Sequence, residues 1–307
     1  MEDAVLKNRV TLAGFSITLL GAILFSTKAI IVKLAFAATS VNALTLLTLR
    51  MVFSLPFYVG AAILVSRSEQ NIPLTKRQWV LVLITGLLGY YVSSYLDFWG
   101  LEFISAGLER LILFLYPTFA VLLNSFLFRQ KIEKNQKVAL LLTYFGIGLA
   151  FWGELNLEVQ TAQFYLGSFL VFLCAITYSL YIVGSGRLIP QTGATKYTAY
   201  AMLSATAGIF IHFAIKGNYA VLHQQGSVWW YGLVLALVAT VIPSFLISFG
   251  LKKIGSNNVA ILSSIGPVST IIQAHYFLGE KIFAEQIIGT VMVVIGVLLL
   301  GKKRAYK

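Results

Sequence analysis

Along this chain, apolar residues run in long, nearly continuous blocks divided by short polar breaks. Blocks such as Val138–Trp152 and Ile287–Leu300 contain only small or weakly polar interruptions. A membrane-crossing helix takes about 20 such residues. Ten blocks of this kind can be read, at about 10–35, 42–65, 79–99, 105–128, 136–153, 164–186, 196–215, 228–250, 258–278 and 284–301. Membrane barrel strands alternate in character, and these blocks do not. The pattern therefore predicts an all-α polytopic membrane protein with ten transmembrane helices. The breaks leave no room for a soluble domain longer than about 15 residues.

Composition agrees. Of 307 residues, 58% are hydrophobic and 11% charged, against about 25% charged in soluble domains. That excludes an ordinary water-soluble globule and a disordered chain. A single cysteine, Cys174, excludes a disulfide framework and a thiolate metal cluster. The net charge of +12 changes the picture only through its distribution. If the N-terminus is cytoplasmic, 17 of the 23 basic residues fall in inside segments, among them Lys76, Arg77, Arg129, Lys131, Lys252 and Lys302. Such a bias predicts both termini in the cytoplasm, with 302–307 a basic cytoplasmic tail; a bacterial inner (plasma) membrane is the expected setting. The cations then lie beside anionic lipid rather than forming a nucleic-acid footprint, so no nucleic-acid partner is expected. The first block has no small-residue cleavage site and contains Lys28 and Lys33, so it reads as a retained helix.

The chain also repeats. At a shift of 150 residues, Gly100-Leu101 meets Gly250-Leu251, Pro117 meets Pro267, Lys131-Ile132 meets Lys281-Ile282, Gln136 meets Gln286 and Gly146 meets Gly296. At a shift of 153, Gly14 meets Gly167 and Ser26 meets Ser179. Two units follow, 1–153 and 164–301. Each holds five crossings, an odd number, so the second copy enters from the other side and the repeats are inverted around a central cavity. Inverted repeats with a midplane site are a recurrent construction of secondary transporters.

The residues at these positions resemble a known family. Gly100–Gly153, with Pro117, and Gly250–Gly301, with Pro267, Gly279-Glu280-Lys281, Gln286, Gly289 and Gly296, are similar to the second part of an EamA domain. Two EamA domains in tandem, as in the drug/metabolite transporter superfamily, would cover nearly the whole chain. The resemblance implies ten helices, inverted repeats and export or exchange of small metabolites such as amino acids. The first half departs from the motif, with Arg129-Gln130 where the second has Gly279-Glu280.

Ionisable groups within a span are costly and are the natural site candidates. Gly14, Thr18, Gly21, Phe25 and Lys28 form one face of the first helix. Lys28 either binds a substrate carboxylate or phosphate, or snorkels to the interface. Gly86, Tyr90, Ser93, Asp97 and Gly100 form a face of the third helix. Asp97 either pairs with Lys28, carries a proton, or lies at a solvated helix end. In the fourth, Glu109 and Tyr116 look toward the cavity, while Arg110 seeks Asp97 or Glu102. Arg50 reads as a buttress of the bundle. The matching face of the second half is uncharged, with Tyr178, Ser244, Ser263, Thr270 and Gln273. Pro56, Pro117, Pro243 and Pro267 either hinge or shape the helices.

No metal-ligand spacing, P-loop or nucleophile signature is present in the sequence, so no cofactor, metal or catalytic residue is expected. The reading is a secondary transporter of small metabolites, amino acids or related polar compounds. The alternatives are a membrane-embedded lipid-modifying enzyme or a sensor. The fifth and tenth helices carry several glycines and few polar groups, which suits a scaffold or a homodimer contact.

Overall fold

The computed structural model describes residues 12–68, 73–129, 134–157, 161–219, 226–247, 249–250, 262–263 and 265–301. The basic tail 302–307, the first eleven residues and Lys252 lie outside these. The described chain is all α-helical, in ten successive helices: α1 Leu12–Ala38, α2 Ala43–Ser66, α3 Lys76–Leu101, α4 Ala106–Leu127, α5 Lys134–Leu157, α6 Ala162–Thr192, α7 Ala194–Lys216, α8 Ser227–Ile247, α9 Ile265–Leu278 and α10 Ala284–Gly301. Seven of them, α1 to α4 and α6 to α8, are both long and apolar enough to cross a membrane. Shorter apolar stretches lie in α5 and α10. This is a polytopic membrane protein.

Local chemistry sets several boundaries. Asn42, Thr75, Ser105 and Thr161 accept backbone N–H bonds at the starts of α2, α3, α4 and α6. Thr75 and Gln78 complete a reciprocal capping box. α6 runs to Thr192, beyond the expected 186, and Pro190 lies inside its last turn. α4 is broken: its first piece ends at Leu113 and the second begins at Tyr116, with Pro117 in its first turn. Proline lacks the N–H that would continue the earlier ladder, which accounts for a break at this position.

The ten helices pack with the symmetry of the repeat. α1 packs on α8 and α9 of the other half, and its mate α6 packs on α3 and α4. α2 pairs with α7, and α5 with α10. Exchanging the halves leaves this scheme unchanged, as expected of two inverted five-helix copies.

The copies touch most closely where side chains vanish. A Cβ on Gly146 would lie 2.6 Å from the Gly289 carbonyl oxygen, and one on Gly289 would collide with the Gly146 carbonyl oxygen. Gly146 of α5 and Gly289 of α10 therefore serve a contact within the chain. What these helices leave for a second copy, or for lipid, is the outer side with Leu141, Phe145 and Trp152. Gly100 and Gly167 make a similar crossing of α3 on α6, with virtual Cβ to carbonyl distances of 2.9 and 3.0 Å.

Candidate transport cavity

The backbone of the site is unusual in the same way twice. α3 passes through a π-helical segment at Leu87–Val92, and α8 through one at Leu237–Val241. The two begin 150 residues apart, in the register of the repeat. A π turn leaves a carbonyl short of its α-helical partner, and such turns are frequent at functional sites. Hydroxyls supply substitutes here. Ser93 Oγ donates to the Gly89 carbonyl, and Thr240 Oγ1 donates to the Leu235 carbonyl at 2.9 Å. Pro243 follows the second π turn. Its mate is Ser93, so proline is not the common cause of the two widenings.

Both widened turns face a cavity of about 180 Å³ between the halves. Gly89, Tyr90, Ser93 and Ser94 line it from one copy, and Ala239, Thr240 and Ser244 from the other. Phe25 and Lys28 come from α1, Arg50 and Tyr58 from α2, and Cys174 and Tyr178 from α6. Arg110, Phe114 and Tyr116 border the break in α4.

Nine of the twelve residues expected to bind substrate line this wall: Phe25, Lys28, Tyr90, Ser93, Asp97, Tyr116, Tyr178, Ser244 and Ser263. The other three do not line it. Glu109 is fully buried, with Oε1 3.9 Å from Lys28 Nζ. Thr270 Oγ1 donates to the Ser26 carbonyl at 3.3 Å, tying α9 to α1. Gln273 donates to Ser269 Oγ within its own helix.

The charges are sorted sharply. Lys28 Nζ is 2.5 Å from Asp97 Oδ2, and Glu109 stands on its other side. Asp97 is buried, so it does not end a solvated helix. Arg50 was expected to brace the bundle, and it does stack on Phe98 at 5.1 Å and donate to Ser94 Oγ at 3.1 Å. It also lines the cavity. Arg110 does not pair with Asp97 or Glu102. It donates to Ser26 Oγ at 3.4 Å. Glu102 instead accepts from the Ala43 N–H at 2.8 Å at the start of α2. Burial raises its carboxyl above the ordinary value, against the pull of that N–H. Tyr58 and Arg110 are wall residues that the sequence reading did not assign to substrate. Depth along a helix was legible, but the direction each side chain faces depends on tertiary packing.

One end of the bundle is tied by polar clasps. Lys33 Nζ donates to the Leu101 and Ile104 carbonyls at 3.2 and 3.0 Å. Glu280 Oε1 and Oε2 accept from the Ala106 and Gly107 N–H groups at 2.8 and 3.1 Å. These are the free N–H groups at the positive end of α4. Gly279, at φ +70°, turns the chain after α9, and Glu280 N–H donates to the Ala274 carbonyl. The Gly-Glu pair thus combines a left-handed turn with a cap on another helix. Its sequence counterpart Arg129 adopts φ 53°, so the backbone turn persists without the glycine. Among the described residues, no group of three or more His, Cys, Asp and Glu could hold a metal ion.

Comparison with known proteins decides the family. The EamA-like transporter family matches residues 12–152 and 165–302. The chain belongs to the EamA-like transporter family. The two EamA segments meet the two helical copies, and the chain is a membrane transporter. It is 31% identical over 287 residues to the uncharacterized transporter YcbK of Bacillus subtilis (strain 168), covering 92% of this chain and 91% of the relative. YyaM, another uncharacterized transporter of that organism, is 23% identical over 224 residues, 73% of each chain. An uncharacterized transporter of Archaeoglobus fulgidus is 24% identical over 208 residues, covering 68% of this chain and 71% of the relative. A crystal structure at 17% identity shares the EamA-like chain's fold, with a TM-score of 0.65 and coverage of 93% and 95%.

Proposed function

We propose that this EamA-like protein is a secondary transporter that moves small metabolites, amino acids or related polar compounds, across a bacterial inner membrane by alternating access, with both termini cytoplasmic. The carrying observation is the cavity between two copies, lined by both π turns. Two similar halves around one site can exchange two packings, each opening the site to one side. Lys28, Asp97 and Glu109 form a charged buttress. Phe25, Tyr90, Tyr116 and Tyr178 offer an aromatic surface, and Ser93, Ser244 and Ser263 offer hydroxyls. The break at Leu113–Tyr116 before Pro117 is a hinge beside the site.

The test is counterflow in proteoliposomes. Vesicles preloaded with a candidate compound should accumulate its labelled form without chemical change. Absence of protein-dependent counterflow across a panel of amino acids, small organic acids and amines would remove the reading. Orientation is checked separately with Lys303→Cys, which should label with an impermeant maleimide only after the cytoplasmic face is exposed.

A further inference from the structure

The cavity carries more cation than its own carboxylates neutralise. Lys28, Arg50 and Arg110 line it, and the acids beside them, Asp97 and Glu109, both stand around Lys28. Among the described residues, neither arginine has a carboxylate within 4.0 Å. Each donates one hydrogen bond to a serine, and each has a buried Nε without a partner. Arg50 is only 4% exposed. A guanidinium has five donors in a planar fork. Leaving such groups unmatched in a desolvated site is costly unless an anion completes them.

We infer that Arg50 and Arg110 are the anion-recognition element of the transported substrate, and that this substrate is a small monocarboxylate with an aromatic or apolar body and no free ammonium group. The inference rests on the transport reading of small metabolites and, within it, sets amino acids aside in favour of simple carboxylates. A carboxylate matches the guanidinium fork. At least one positive charge is in excess, which fits a monoanion. An α-ammonium would meet a single wall carboxylate, Asp97, already paired with Lys28 at 2.5 Å, while Glu109 is fully buried and does not line the cavity. Phe25, Tyr90, Phe114, Tyr116 and Tyr178 supply flat surface for one ring. The volume of about 180 Å³ is below the roughly 300–1,000 Å³ of pockets for drug-sized ligands.

The experiment measures thermal unfolding of the purified full chain in detergent with benzoate, benzamide, benzylamine, phenylalanine or inorganic phosphate. Benzoate should raise the Tm, and the other four should not. An equal rise with benzamide, a larger one with benzylamine, phenylalanine or phosphate, or none with benzoate overturns the inference. Arg50→Lys and Arg110→Lys keep the charge and lose the fork. Each folded variant should bind benzoate at least tenfold more weakly, and unchanged affinity in both overturns the assignment. Counterflow separates the two readings. Benzoate stabilisation without flux of any probe sinks transport and leaves the anion site. Flux of benzamide or benzylamine without benzoate flux sinks the anion site and leaves transport.

Discussion

Lys28 and Asp97 form a 2.5 Å ion pair between α1 and α3, with Glu109 of α4 completing the cluster. Removing the ammonium leaves two buried carboxyls uncompensated, which typically costs about 3–5 kcal/mol. Lys28→Met should therefore lower the Tm markedly. Lys28→Met combined with Asp97→Asn should recover part of the loss, because the stranded charge is gone. A double-variant loss equal to the sum of the Lys28→Met and Asp97→Asn losses would show that the pair does not couple.

Glu280 caps a helix to which it is not connected in sequence. Loss of a cap costs about 0.5–2 kcal/mol. Glu280→Ala should lower the Tm in detergent. Glu280→Gln keeps an acceptor and should lower it less. Equal effects would mean that size rather than hydrogen bonding matters there.

The crossing of α5 and α10 makes a comparison within one helix. Gly146 faces the Gly289 backbone, whereas a Cβ on Gly148 meets nothing within 4 Å. Gly146→Leu should push the helices apart and lower the Tm by several degrees. Gly148→Leu should be nearly silent. The contrast is read by thermal unfolding of both proteins in one detergent, and equal losses would count against the packing.

Arg129 holds a left-handed backbone, at a cost of about 1–2 kcal/mol for a residue with a Cβ. Arg129→Gly removes that strain but makes the unfolded chain freer, by about 0.4–1 kcal/mol. A small net gain in stability is expected. A lower Tm would mean that the Arg129 side chain contributes more than its strain costs.

The gross fold was legible because the bilayer demands long apolar runs, and α1 to α10 follow the ten blocks closely. Pairing was partly legible. Lys28 and Asp97 each interrupt an apolar face, and such groups seek one another. The π turns at Leu87 and Leu237 leave no local signal, since their residues read as ordinary apolar helix. Only the repeat register connects them. The arginines illustrate a different gap. Arg50 is both a support on Phe98 and a cavity wall, and sequence spacing cannot tell one role from both. Thr270 and Gln273 share the polar character of the site, but α9 directs Thr270 toward α1, and Gln273 bonds to Ser269 of its own helix.

The clasp at Glu280 has a consequence for motion. Its sequence counterpart is Gln130, a neutral amide without a carboxylate's charge. The frame is thus duplicated, but the acid at this position is not. Any motion that parts α4 from the turn after α9 must first release both of its N–H bonds to one carboxylate, so a single side chain sets the cost of opening this end of the bundle.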